Sequence, residues 1–163
     1  MLYILFGLPG SGKTYIGKIF EKYYGYHFYE GDLDIPMDMK QNLLQEQSIT
    51  DNMRNSFFTK LINSTHQLQA THTNLVIAQT FIKEKYRQQL LTEMPYAKFV
   101  LVRVDNSVRK QRLLHRHDYP LKYLMNMETY FDKPEIQHTV ITNNEPGEKK
   151  IKNQVETLLK NET

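Results

Sequence analysis

Apolar residues along this chain follow two rhythms. Leu2-Tyr3-Ile4-Leu5-Phe6 and Leu75-Val76-Ile77-Ala78 are short unbroken apolar runs, and a third, rich in Val, covers 99–104. Runs of that length with aromatic and β-branched members predict strands buried on both faces. Two shorter strands are expected over 26–30 and 139–142.

Between the strands, apolar positions recur at helical spacing. Ile16, Ile19, Phe20 and Tyr23 predict a helix over Lys13–Tyr24, with Gly25 placed to stop it. Leu43/Leu44 and Phe57/Phe58/Leu61/Ile62 predict helix through much of 37–69. Further helices are expected over 82–94, halted before Pro95, and over 106–117, with Asn106 or Ser107 near the N-cap. A closing amphipathic helix is expected over 148–160. Strands alternating with helices imply right-handed crossovers, so the expected class is α/β: three layers, a parallel five-stranded sheet, helices on both faces.

Composition narrows this picture without redirecting it. The 163 residues contain no repeat or Pro/Gly/Ser linker and suit a single domain over 1–163. A hydrophobic fraction of 40% with 24% charged residues argues against disorder. The net charge of +3 is spread along the chain and suits an anionic small substrate; no basic tail points to nucleic acid. The absence of cysteine excludes disulfides, thiolate metal sites and a Cys nucleophile. No apolar run reaches membrane-spanning length, so a soluble, cytoplasmic monomer or homodimer is expected.

The chemistry begins at the end of the first predicted strand. Gly7-Leu8-Pro9-Gly10-Ser11-Gly12-Lys13-Thr14 matches G-x-x-x-x-G-K-[ST] in full. Glycines let successive backbone N–H groups converge on phosphate oxygens, and the following helix directs its positive end at the same anion. Lys13 is expected to reach the β- and γ-phosphates of ATP, and the Thr14 hydroxyl to join a Mg²⁺ shell. The guanine-reading N-K-x-D of GTPases is missing. So is the strand-terminal Asp-Glu usual in motor or AAA-type ATPases: Leu75-Val76-Ile77-Ala78 runs into Gln79-Thr80. Acidic residues stand instead at Glu30, Asp32 and Asp34, after the second strand. The carboxyl end of a parallel strand is where ligands gather, so this cluster is expected to face the phosphate loop. A carboxylate there can orient an acceptor hydroxyl, take its proton, or hold Mg²⁺.

Four blocks spread over most of the chain resemble the gluconate kinase group, relatives of shikimate kinase and the nucleotide monophosphate kinases. They are the phosphate loop, Phe28-Tyr29-Glu30-Gly31-Asp32 with Pro36, Ile49-Thr50-Asp51 with Arg54, and Ala78-Gln79-Thr80-Phe81-Ile82-Lys83 with Tyr86-Arg87. Arg112-Leu113 with Arg116, Pro120, Leu124 and Pro134 follows the spacing of that family's lid and beyond. The resemblance implies a P-loop kinase fold with a lid near 112–124. It implies Asp32 on the acceptor hydroxyl, Arg54, Lys83 and Arg87 around the substrate, and Arg112 and Arg116 over the phosphates. It also places the loop holding Asn144 near adenine and makes Thr14, Glu30 and Asp32 candidates around Mg²⁺.

The chain departs from the family on the substrate side. Leu33 and Ile35 replace an Asp and a His, Asp34 is displaced by one, and Gln79-Thr80 replaces Cys-Ser. These changes leave three readings open: a gluconokinase-like phosphotransferase, a nucleoside or nucleotide kinase, and a non-catalytic ATP-binding module. On spacing alone, Arg109, Arg112 and Arg116 at i, i+3 and i+7 are expected to share one helix face and offset charge on a transferring phosphoryl group.

Overall fold

A computed structural model describes residues 1–161. Five parallel strands, β1 (Leu2–Phe6), β2 (His27–Glu30), β3 (Leu75–Ala78), β4 (Lys98–Arg103) and β5 (His138–Thr142), form one sheet in the order β2-β3-β1-β4-β5. Helices α1 (Lys13–Tyr24), α2 (Met37–Leu44), α3 (Asp51–Thr71), α4 (Glu84–Glu93), α5 (Asn106–Leu113), α6 (Leu121–Tyr130) and α7 (Lys149–Lys160) supply the crossovers and the outer layers. A 3-10 turn at Gly31–Asp34 follows β2 directly.

β1 lies at the centre, with Ile4 opposite Ile77 on one side and Phe99 on the other. All five of its residues are buried, which is why its sequence is continuously apolar. Its pleat still divides them. Leu2, Ile4 and Phe6 pack with Phe57, Phe58, Leu61 and Leu90 of α3 and α4, whereas Tyr3 and Leu5 pack with Ile16, Phe20, Ile151 and Val155 of α1 and α7. The two cores pin the register, because a one-residue slip would exchange every side chain between them.

Where element boundaries differ from the sequence reading, local chemistry gives the cause. The helix expected over 82–94 starts at Glu84, because Phe81 is left-handed (φ 49°) and Lys83 is extended. The stretch 37–69 divides into α2 and α3, the latter capped by Thr50 Oγ1 accepting from Met53 N at 3.2 Å. The helix expected over 106–117 ends at Leu113; its N-cap is Asp105, with Asn106 and Ser107 next to it in the first turn. Its last turn tightens through His115 N to Arg112 O (3.2 Å) and Arg116 N to Leu113 O (3.0 Å). α6 is an addition to the expected elements; Leu124 and Met127 bury its inner face.

Candidate active site

In a parallel sheet the strand ends that meet ligands lie together, and here the switch point falls at β1, flanked by β3 and β4. The loop Gly7–Thr14 leaves β1 at that point. Gly7 N donates to Thr80 O at 3.3 Å, tying the loop to the end of β3. Gly12 is left-handed (φ 95°), and a Cβ there would lie 2.1 Å from Asn143 Nδ2. No other residue type fits, and the loop amides are free of side-chain obstruction.

The loop is braced from behind. Asn143 is buried at the end of β5, and its Nδ2 donates to Ser11 O at 2.9 Å. Arg112 donates to Asn143 O at 2.9 Å and, at 3.4 Å, to the carbonyls of Gly10 and Ser11. Arg112 also lines the cavity beside Gly10, Gly12 and Lys13, so these bonds to the loop carbonyls do not withdraw it from the phosphate site expected for it. Lys13 Nζ donates to Gly7 O (2.9 Å) and Leu8 O (3.1 Å). Burial lowers its pKa to about 8, against the opposing pull of the Asp32 and Glu30 charges. Ser11 Oγ, within the same loop, is buried without a partner and still able to donate. Glycines that cannot bear a Cβ, a cation in the loop and an orphaned hydroxyl fit a polyphosphate.

Opposite the loop stand the acidic residues of β2 and the 3-10 turn. Thr14 Oγ1 donates to Glu30 Oε2 at 2.6 Å, which sets two hard oxygen ligands side by side. Desolvation raises the Glu30 pKa, and the Thr14 hydrogen bond works against that shift. Among the described residues no group of three or more His, Asp or Glu forms a metal cluster of its own. Gln79 Nε2 donates to Asp32 Oδ1 at 2.9 Å, while Gln79 Oε1 accepts from Thr80 N at 2.5 Å. The Gln79 amide is thus fixed at both ends and orients the carboxylate.

Asp34 does not join this group, which corrects the expected three-acid cluster. It is buried, accepts from Tyr29 Oη (3.0 Å) and Ser64 Oγ (2.9 Å), and locks the 3-10 turn onto α3. A 3-10 turn spaces Asp32 and Asp34 onto different sides, which strand-like spacing does not.

Glu30, Asp32, Lys13, Thr14, Pro9, Gly10, Gly12, Arg54, Lys83, Arg112 and Arg116 all line one cavity of about 660 Å³. Arg54 Nη1 donates to Ile49 O at 2.9 Å, and Lys83 Nζ pairs with Asp132 at 3.0 Å. Arg116 Nε donates to Asp118 Oδ1 at 2.9 Å; that pair raises the arginine pKa and lowers the aspartate's. Two sequence expectations change here. Arg87 does not line the cavity: it is fully buried, donating to Phe81 O, Ile82 O and Asp132 O and pairing with Glu84 at 2.6 Å. Arg109, itself buried, does not line the cavity with Arg112 and Arg116 but pairs at 2.8 Å with the exposed Glu128. Asn144, whose loop the resemblance places near adenine, accepts at its Oδ1 from Asp105 N at 2.7 Å, and its neighbour Asn143 bonds the phosphate loop. Gln79 is expected on the substrate side, but its bond to Asp32, like the parts of Asn143 and Asp118, was not legible, because strand pairing or a loop turn, not local sequence, brings these groups together.

Comparison with known proteins agrees with this architecture. A family model described as an AAA domain matches residues 4–130. The match includes β3, which ends at Ala78 and is followed by Gln79-Thr80 rather than Asp-Glu. A Xenopus tropicalis protein named "Probable gluconokinase" is 30% identical over 92 residues, 56% of this chain and 48% of that protein; this chain spans about half of its length. The "Thermoresistant gluconokinase" of Escherichia coli (strain K12) is 23% identical over 98% of this chain and 94% of its own. The crystal structure of a sugar kinase from Janibacter sp. HTCC2649 superposes with a TM-score of 0.81 at 22% identity, covering 96% of this chain and 93% of that one. No helix among the described residues is long and apolar enough to cross a membrane.

Proposed function

The chain belongs to the AAA domain family of P-loop proteins, and from that premise we propose that it is an ATP-dependent phosphotransferase acting on a hydroxyl of a small molecule. The observation that carries the reading is that the phosphate loop and an oriented carboxylate, Asp32, open onto the same cavity. Full-length similarity to a gluconokinase supports the same class of reaction.

Each residue has a part in an in-line transfer. The loop amides, the amino end of α1 and Lys13 hold the phosphates of ATP. Thr14 and Glu30 would hold Mg²⁺, directly or through water, and the ion would offset charge on the phosphate oxygens. Asp32 orients the acceptor hydroxyl and takes its proton as that oxygen bonds to the γ-phosphorus. The bond to the bridging oxygen breaks, and ADP leaves with the electron pair. Arg116 lies in the segment 112–124, the proposed lid, and offsets charge gathering on the transferred group.

The test is a titration with MgATP followed by ADP release over a panel of sugar acids, polyols and nucleosides. A raised melting temperature and acceptor-dependent ADP release are expected. A protein whose melting curve ignores MgATP, or that releases no ADP with any alcohol, overturns the reading.

A further inference from the structure

Two tyrosines of the 112–124 segment, Tyr119 just before α6 and Tyr123 in its first turn, line the cavity together with Asp32 and Arg54. Leu124 and Met127 bury the inner face of α6 and anchor it there. The Tyr119 ring packs on that of Tyr123, with centroids 6.4 Å apart and planes tilted by 57°. Both rings also pack against the apolar core that contains Phe57 and Phe58. Their hydroxyls are another matter. Tyr86 lines the same cavity, but its Oη is used within the fold, donating to Asn55 Oδ1 at 2.9 Å. Among the described residues the hydroxyls of Tyr119 and Tyr123 take no such partner. A half-buried phenol left open in this way is short of a hydrogen bond that a ligand can supply.

The surrounding charges distinguish the two tyrosines. Burial raises the Tyr123 pKa to about 12; the Arg54 charge opposes that rise and the Asp32 charge adds to it. Burial also raises Tyr119 to about 12, but the charges that act on it are Asp32, Asp118 and Arg116. Tyr123 is thus the phenol that stands within reach of both Arg54 and Asp32, and it stays a neutral donor at ordinary pH. Arg54 is only partly used: its Nη1 donates to Ile49 O at 2.9 Å and lies 3.9 Å from the exposed Asp51, which leaves Nε and Nη2 to donate. Lys83, the other cation expected around the substrate, is held by Asp132 at 3.0 Å. Ile35 lines the cavity where the gluconate kinase pattern has a His, so a polar group is lost from the β2 side and a phenol stands on α6.

Resting on the phosphotransferase reading, we propose that Tyr123 is an acceptor-binding residue: its hydroxyl and the Arg54 guanidinium hold one polar group of the acceptor while Asp32 takes the hydroxyl that is phosphorylated. Two separate anchors fix the acceptor's orientation, so that one of its hydroxyls meets the γ-phosphorus. Both Tyr123 and Arg54 donate, so the group they share is rich in acceptor oxygens, a carboxylate above all.

Steady-state kinetics of the whole chain test this with gluconate as the probe acceptor, replaced, if it is not turned over, by whichever sugar acid, polyol or nucleoside releases most ADP. Tyr123→Phe keeps the ring and its packing and removes only the hydroxyl. It is expected to raise KM for the acceptor about tenfold, with KM for ATP, the melting temperature and its MgATP shift unchanged. Arg54→Met is expected to raise the same KM by a comparable factor, and the double variant by less than the product of the two, because both residues hold one group. An acceptor KM that ignores Tyr123→Phe, or a double variant that shows the full product, overturns the inference and leaves the phosphotransferase standing. Absence of ADP release with every alcohol overturns both.

Discussion

Gln79 Nε2 donates to Asp32 Oδ1 at 2.9 Å, so the carboxylate assigned to the acceptor is held by a residue from a different strand. Because Gln79 is itself pinned through Thr80 N, Asp32 has one preferred orientation before any ligand arrives. Replacing Gln79 with Leu keeps the volume but releases the carboxylate. We expect kcat to fall about 10- to 100-fold with KM for ATP unchanged, as is usual when a positioned group drifts by about 1 Å. Steady-state kinetics with ATP and acceptor varied in turn check this split.

Lys13 links nucleotide binding to pH. Its pKa of about 8 lies below the ordinary 10.5 because burial disfavours the charged form, and a bound polyphosphate favours it. At pH 6.5 the free protein already holds the proton; at pH 8.5 most molecules must take one up to bind MgATP. Calorimetry in two buffers of different ionisation enthalpy is expected to show that uptake at pH 8.5 and little from Lys13 at pH 6.5. The unfolded chain keeps this proton up to about 10.5, so the same group makes nucleotide-free stability rise between pH 8 and 10.5. Lys13→Met should remove that slope.

The two cavity arginines of the lid region should separate in mutagenesis. Arg112 braces the carbonyls of Gly10, Ser11 and Asn143, so Arg112→Ala is expected to lower both the melting temperature and ATP affinity. Arg116 is engaged only near the surface with Asp118, a pairing of small value to stability. Arg116→Ala should therefore leave the melt nearly unchanged while kcat drops by about 10³-fold. Parallel melts and turnover assays on the two variants decide between these roles.

Arg87 is expected to matter for folding rather than for substrate. It is fully buried, bonded to three backbone carbonyls and the Glu84 carboxylate, with its guanidinium 4.8 Å from the Phe131 ring. Arg87→Ala should cost about 3–5 kcal/mol, and Arg87→Lys most of that, because an ammonium cannot reproduce the planar fork. Urea unfolding measures the loss. An Arg87→Ala protein of native stability and altered substrate KM would reverse the assignment.

By itself the sequence determined the α/β class, the central strand, the first helix to its last residue, and the phosphate loop. Those features are written locally: a continuous apolar run demands burial on both faces, and the glycines of the loop serve the chain that contains them. The positions of side chains relative to one another were another matter. Arg109, Arg112 and Arg116 share a helical spacing, yet α5 stops at Leu113 and the three diverge to Glu128, the carbonyls of Asn143 and the phosphate loop, and Asp118. Asp32 and Asp34 are two residues apart in sequence, but the 3-10 turn sends one to the cavity and the other into the core. Asn143 reaches Ser11 only because β4 and β5 pair beside β1. Tertiary structure decided these because a side chain's direction and partners depend on how distant segments pack, and one-dimensional spacing does not encode that packing.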